Sequence, residues 1–401
     1  NNLMETANKP SDFNSLKSGV VFDLENENYS FEAGATIYEN LQVTKNSDRF
    51  QFVLPYYRFS KELFTDKNLG GTISYSTSGS NVLSDTNNLV SSVGQDIDYT
   101  TYDYIFNNGI KNFFSANFSN SNTIATHDSK IRTSPQIEAR SIFQVQSSFP
   151  LIKKEKFYVN TIEPRLSFRL NPGDMNKYTN EDRKINADNI FNINRLALGD
   201  SYEAGKSLTL GINYKKEKIS DINKYFSFKL ATVFRDTEED RIPIKSTLNK
   251  KTSNIFGSVN YNVNENFSVD YDFSVDNDLN TFEYNSISTT FDGNKLFTKF
   301  DFIEENGTIG NANSFESELG YNFDDYNFIK FKTRRNRTLN LTEYYDLVYE
   351  YKNDCLTAGF KYKKTYYQDR DLKPKEDLLF SITFYPLSTF EQEIDQQLYR
   401  D

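Results

Sequence analysis

Residues 354–387 read DCLTAGFKYKKTYYQDRDLKPKEDLLFSITFYPL, and this stretch decides the fold class. Leu356, Ala358, Phe360 and Tyr362 fall on one face, with Thr357, Gly359, Lys361 and Lys363 on the other. Leu378, Phe380, Ile382 and Phe384 alternate in the same way with Leu379, Ser381, Thr383 and Tyr385. A period of two is the signature of a strand with one apolar and one polar face. The charged, Pro-containing segment from Gln368 to Asp377 reads as a loop between the two strands. Neither strand is stable alone, so each needs neighbours. The remainder of the chain repeats the unit, and the question becomes what solvent meets the apolar face.

The chain has 401 residues, a net charge of -10, 15% aromatic residues, one Cys, one His and no Trp. No Pro/Gly/Ser-rich linker or shift in composition divides it into domains. No apolar run approaches the ~18 residues of a spanning helix, and the mean hydropathy is -0.68, which excludes a membrane protein built of helices. A transmembrane barrel is not excluded, because every second strand residue and its outer loops are polar. The abundance of Phe and Tyr (35 and 27) weighs less than their placement at alternate strand positions. Asn1 opens no signal-peptide pattern, so the sequence is expected to be a mature fragment with its upstream part removed.

Strands are expected near 18–25, 28–39, 48–59, 70–79, 97–107, 110–118, 135–149, 156–170, 205–218, 224–234, 253–263, 266–276, 281–291, 295–304, 314–323, 327–337, 341–351, 355–367 and 377–386. The clearest places Phe267, Val269, Tyr271, Phe273 and Val275 against Ser268, Asp270, Asp272, Ser274 and Asp276. Residues 181–200 read as loop. Tight turns are expected at Asn107-Asn108-Gly109, Val263 to Asn266, Asp292-Gly293-Asn294, Asp324-Asp325 and Lys352-Asn353-Asp354. Longer connections are expected at Val82 to Asp96, Ser119 to Ser134, Asn171 to Ala204, Arg235 to Thr252 and Gln368 to Asp377. Short turns at one end and long loops at the other are the pattern of outer-membrane barrels. The expectation is therefore an all-β, large antiparallel transmembrane β-barrel, a meander of about 19–20 strands. Residues 18–387 form the barrel, 1–17 a leader or incomplete upstream strand, and 388–401 a periplasmic C-terminal tail. In hydrocarbon an unpaired strand edge leaves backbone groups unsatisfied at several kcal/mol each, so the end strands must pair unless the protein is built to open there.

Several stretches resemble the LptD (OstA) family of lipopolysaccharide-assembly outer-membrane proteins, in its C-terminal barrel domain. One block is Phe149-Pro150-Leu151-Ile152 followed by Ile162-Glu163-Pro164-Arg165. After a long connection come Asp188 to Arg195 (DNIFNINR), Gly199-Asp200 and Leu208-Thr209-Leu210-Gly211. Ser201 stands where that family usually has Arg. A second block is Asn353-Asp354-Cys355 with its strand and the Asp369–Pro374 loop, and a weaker one runs from Asp48-Arg49 to Leu54-Pro55-Tyr56. The matches extend from about residue 20 to 387. The resemblance implies a barrel that inserts lipopolysaccharide into the outer leaflet of the Gram-negative outer membrane. Its partners would be an LptE-like plug lipoprotein and a periplasmic Lpt bridge reached through an N-terminal domain. It also implies sugars moving through the lumen and acyl chains leaving through a seam between first and last strands, of which strand 377–386 is one side. No nucleic acid and no cofactor is expected.

Each candidate site residue has a bland reading beside the functional one. Cys355 follows a tight turn. The resemblance implies a disulfide to a periplasmic domain, allowed in an oxidising compartment, and the alternative is a free thiol. Lys330, Lys332 and Arg334 share the polar face of a strand and suit phosphate, or are ordinary rim charges, as are Arg335 and Arg337. Glu163 and Arg165 share a face and read as a lumenal polar contact. Asp270, Asp272 and Asp276 are carboxylates two or more apart on a strand, too widely spaced for a compact metal shell, and read as solvated wall. His127 without a second ligand makes no metal site. No nucleophile elbow, His-based dyad or phosphate-cradling Gly loop appears, so no enzyme is expected. Two alternatives remain: a porin or receptor barrel for small solutes, and a secreted all-β binding protein or hydrolase that packs its apolar faces between two sheets.

Overall fold

Alternation yields strands along almost the whole chain. The computed structural model describes residues 15–41, 49–63, 70–84, 87–128, 133–366, 375–384 and 388–396. The strands are β1 (Ser15–Asn26), β2 (Tyr29–Asn40), β3 (Phe50–Leu63), β4 (Gly71–Ser84), β5 (Asn88–Thr101), β6 (Tyr104–Ile105), β7 (Lys111–Thr126), β8 (Gln136–Ser148), β9 (Leu151–Lys154), β10 (Tyr158–Asn171) and β11 (Gly205–Lys218). The series continues with β12 (Asp221–Arg235), β13 (Ile255–Asn264), β14 (Phe267–Val275), β15 (Phe282–Asp292), β16 (Leu296–Glu305), β17 (Asn313–Asn322), β18 (Asn327–Asn336), β19 (Leu341–Lys352), β20 (Leu356–Thr365), β21 (Lys375–Phe384) and β22 (Ser388–Gln396). All belong to one 22-stranded sheet. Pairing is antiparallel between sequence neighbours throughout. The short β6 continues the line of β5 and pairs with β7, and β9 continues the line of β8 and pairs with β10. β1 pairs with β2 and β22 with β21; among the described residues no pairing joins β1 to β22.

The register fixes which side chains share a face. Leu166 lies opposite Leu210 and Phe168 opposite Leu208, while Ser167 faces Thr209 and Arg169 faces Ser207. A one-residue slip would turn every one of these to the wrong side. Leu166, Phe168, Leu210, Phe300, Phe380 and Leu319 stand between 40% and 48% exposed, forming an apolar outer belt. A single sheet has no second sheet to cover that belt, which removes the reading as a two-sheet secreted protein. An apolar exterior of this extent needs hydrocarbon around it.

Connections differ at the two ends. Residues 27–28, 219–220, 265–266, 293–295, 323–326 and 353–355 make short turns at one end, whereas 172–204 and 236–254 connect strands at the other. Side chains build the short turns: the Asp324 carboxylate accepts the Tyr326 and Asn327 N–H groups at 2.8 Å each. The Asn327 side-chain amide, with those backbone N–H groups, holds its carboxyl below the usual range.

Several expectations need correction. The expected loop at 82–96 is largely strand, because β4 runs to Ser84 and β5 starts at Asn88. β7 likewise runs to Thr126 into the expected 119–134 loop. Ser and Asn carry these extensions through cross-strand bonds, such as Ser91 Oγ to Asn81 Oδ1 at 2.6 Å; a ladder needs backbone partners, not apolar side chains. The tail at 388–401 contains β22, so strand 377–386 is not the last, and β22 leads the chain back from the short-turn end. Ser15, Leu16 and Lys17, placed in a leader, belong to β1. With β6 and β9, β22 brings the 19 strands read from the sequence to 22. Asp48, the Asp369–Pro374 loop and most of the Gln368 to Asp377 connection lie outside the described residues.

Candidate functional site in the barrel lumen

The two long connections fold against the polar face of the sheet rather than away from it. Met175, Ile185, Ile190, Phe191, Leu196, Leu198 and Ala204 from 172–204 join Ile242 and Leu248 from 236–254 in one buried cluster. The wall contributes Ala231 and Val233 of β12 and Phe256 of β13. This inward face also carries Ser167, Thr209, Gln144 and Ser258, all buried. The segment contacts distant strands at once. Tyr202 donates to Asn117 of β7, and Lys184 pairs with Glu305 of β16. Strands lie ~4.8 Å apart in a sheet, so one connection reaches both only because the wall curves round it.

Phe191 is the centre of the packing. Its carbonyl accepts bonds from Gln144 at 2.8 Å and Gln146 at 2.5 Å, both from β8. The guanidinium of Arg165 lies 4.2 Å from its ring centroid, a cation–π contact. Beneath the ring is Gly211 of β11. A Cβ there would stand 2.8 Å from the Phe191 ring and 3.0 Å from the Leu230 carbonyl, so glycine is what lets the plug approach the wall.

Below it lies a buried charge cluster. Glu203, at the end of 172–204, meets Arg195 of the same connection, Arg169 of β10 and Arg235 of β12. Arg195 is bidentate, with Nε to Oε2 at 2.8 Å and Nη2 to Oε1 at 2.6 Å, and also donates to Thr209 and Ser207 at 3.0 and 3.1 Å. All four side chains are at most 4% exposed. Burial alone would raise the Glu203 carboxyl, but the guanidiniums of Arg169, Arg195 and Arg235 outweigh it and hold it far below the ordinary range. Two charges of the cluster come from wall strands and two from the plug, so it latches one to the other. The neighbouring Tyr202 hydroxyl is pushed up to about 12 by burial and by Asp96 and Asp98.

Glu163 and Arg165 face the lumen but are held by different partners, Asn213 at 3.4 Å and Gln146 at 3.2 Å respectively. Lys330 pairs with Glu318 at 3.4 Å, Lys332 with Glu316 at 2.6 Å, and Arg334 with Glu343 at 3.1 Å. Three neighbouring strands thus form an ionic ladder with its positive charges already matched. Arg335 turns to the outer face and bonds Asn340 at 2.6 Å. Asp270 accepts from Asn260 at 2.8 Å, and Asp276 caps its own turn. Among the described residues no group of His, Cys, Asp and Glu could hold a metal. His127 opens the 127–135 connection with φ 61°. Cys355 is an exposed free thiol in the 353–355 turn.

The plug and its latch escaped the sequence reading. Arg195 belongs to the DNIFNINR block, eight residues from Glu203, but Arg169 and Arg235 reach Glu203 over separations of 34 and 32 residues. One signal existed: Ile185, Ile190, Phe191, Leu196 and Leu198 are too apolar for a loop left in water.

The family model described as LPS transport system D (LptD) matches residues 22–301. The chain belongs to the LptD family. The match runs from within β1 to within β16 and includes the plugging connections and all four latch residues; Glu305 and the ionic ladder of β17 to β19 lie beyond it. The chain is an LPS-transport barrel of the outer membrane, and the family is one of transporters rather than enzymes. No curated protein sequence matches the chain. Among solved structures, it is similar to the siderophore receptor PirA from Acinetobacter baumannii, at 8% identity and a TM-score of 0.43, covering 94% of this chain and 73% of that one. It is also similar to a ferric enterobactin receptor mutant from Pseudomonas aeruginosa, at 8% identity and a TM-score of 0.42, covering 95% and 72%. A double mutant of the Rh. blastica porin aligns at 8% identity and a TM-score of 0.29, covering 84% of this chain and 98% of that one. Likenesses this distant carry no argument about ligands.

Proposed function

We propose that this LptD-family barrel passes lipopolysaccharide into the outer leaflet, with sugars and phosphates on the lumen wall and acyl chains outside. The family match over 22–301 carries the reading. The arrangement of the lumen supports it. The plug covers the inner face from β7 to β16, which opposes free diffusion of small solutes as in a porin. The inner face of β1–β5 instead lines an open cleft of about 350 Å³ with Lys17, Glu32, Tyr38, Tyr56, Arg58 and Ser78. Hydroxyls and charges of both signs there suit a phosphorylated saccharide. Lys330, Lys332 and Arg334 add a second polar stretch on β18, while Arg165 holds the plug through Phe191 and Glu163 braces the neighbouring wall strand through Asn213.

In this proposal the short turns face the periplasm and the long connections face outward. An LptE-like lipoprotein would enter from the short-turn end, and a periplasmic Lpt bridge would deliver lipid through an N-terminal domain. Cys355 lies at that end with a thiol free to pair with it. The test is photocrosslinking in cells, with the crosslinker at Tyr56, Lys332 or, as outward control, Leu210. Lipopolysaccharide adducts at Tyr56 and Lys332 are expected. Absence of adducts at both, with ion conductance typical of a pore, would remove the reading.

A further inference from the structure

The outward face at the short-turn end is apolar or aromatic on most strands: Phe267, Phe291, Leu296, Tyr321 and Tyr351 occupy it on β14 to β19. Between β10 and β13 it changes character. Tyr158 lies opposite Lys218, and Lys216 sits one outward position along, its ammonium 4.6 Å from the Tyr158 ring centroid. On β12 this end carries Asp221, opposite Lys218 in the register, followed by Lys224 and Phe226, and Phe226 packs edge-on against Tyr261 of β13 at 6.2 Å. With Tyr158, Lys216, Lys218 and Lys224 these rings enclose an open cleft of about 430 Å³ on the outside of the barrel.

Of the three ammonium groups on this lipid-facing wall, two lack an ion-pair partner among the described residues. Lys224 has a partner in Asp221 at 3.4 Å, and Glu155 of the neighbouring turn pairs with Lys153 at 3.0 Å. Among the described residues neither Lys216 nor Lys218 has a carboxylate within ion-pair distance. Lysines at a barrel rim snorkel their heads to the headgroup layer while their stems lie on apolar surface. Here three do so from adjacent strands, over aromatic rings that can lie along acyl chains.

We propose that this cleft is a binding site for an anionic glycerophospholipid, whose phosphate sits among Lys216, Lys218 and Lys224 and whose acyl chains run along Phe226 and Tyr261. The site lies outside the lumen and is separate from the path proposed for the cargo. With short turns toward the periplasm it belongs to the inner leaflet. Charge complementarity selects the occupant: a zwitterionic headgroup offers its own ammonium to the same lysines and is rejected.

The test uses the full chain purified in a neutral detergent, with bound lipid counted by native mass spectrometry during titration with phosphatidylglycerol, phosphatidylethanolamine or lipopolysaccharide. Each basic residue near an anionic headgroup contributes about fivefold in affinity. The triple variant Lys216→Gln, Lys218→Gln, Lys224→Gln is therefore expected to lose at least about tenfold in phosphatidylglycerol affinity. A control triple variant at the opposite end, Lys206→Gln, Lys250→Gln, Lys251→Gln, keeps it. Phosphatidylglycerol retention by the unaltered chain falls as salt rises, which tests the site without any variant. Equal binding of phosphatidylethanolamine, or undiminished phosphatidylglycerol binding by the folded triple variant, overturns the proposal. Lipopolysaccharide binding abolished by the same three substitutions would reassign the site to the cargo and equally overturn it.

Discussion

Replacing Glu203 by Gln takes one negative charge from a place where three guanidiniums converge. Arg169, Arg195 and Arg235 are buried with it, and the Nε of Arg169 already lacks a partner among the described residues. Removing one member of a buried ion pair costs about 3–5 kcal/mol, because the remaining charge is left unpaired. Here three charges remain, and they repel one another. Gln keeps the shape and one acceptor, and Arg195 keeps its bonds to Thr209 and Ser207, so the lower value is the better guide. About 3 kcal/mol moves the equilibrium between docked and released plug by roughly two orders of magnitude. The sheet itself loses nothing, since its ladder does not involve Glu203. The expected result is a chain that still shows the heat-dependent gel shift of a folded barrel. Trypsin would cut it at Lys177, Arg183 or Lys184 at least tenfold faster, and it would conduct ions in planar bilayers more than the unaltered chain does. A variant as trypsin-resistant and as closed as the parent would refute the latch.

The Glu203 carboxyl is held far below its ordinary value by the three arginines. A lowered carboxylate contributes its full stability above the unfolded value of about 4.3 and loses it only as pH falls through the lowered one; trypsin resistance of 172–204 is therefore expected to be flat from pH 8 to pH 5. Gly211→Val places a side chain where Phe191 and the Leu230 carbonyl already are, so the same segment is expected to become trypsin-sensitive while strand content by circular dichroism is unchanged. Leu210→Arg, one residue away on the outer face, is expected to cost about 2–4 kcal/mol if placed near the bilayer midplane, read as a lower urea midpoint for folding into vesicles, with no effect on the plug. Cys355, exposed in its turn, is expected to react fully with a maleimide in the folded, purified chain under non-denaturing conditions; slow labelling that speeds up on unfolding would show the thiol to be covered.

Period-two alternation was enough for the class of fold. It places Leu166, Leu208 and Leu210 on one face and Ser167, Arg169 and Thr209 on the other, whatever the neighbours are, because a strand has no other geometry. The same pattern put Glu163, Arg165, Lys330, Lys332 and Arg334 on the inner face. It failed at Asn88 to Gln95 and from Ser119 to Thr126, where Ser, Asn and Thr on both faces erase the alternation although the backbone ladder continues. It failed again at β22, where Glu391, Glu393 and Gln392 follow each other and leave a weak period.

What the sequence determined by itself was therefore local: strands, faces, the contrast between short turns and long connections, and the blocks shared with the LptD family. The tertiary structure alone decided that 172–204 and 236–254 turn inward, that Glu203 joins three arginines, and that the lysines of β18 are already paired. The reason is physical. Strand geometry depends on residues two apart, but a latch depends on which strands curvature brings together, and the separations of 34 and 32 residues between Glu203 and its wall partners leave no trace in any local period.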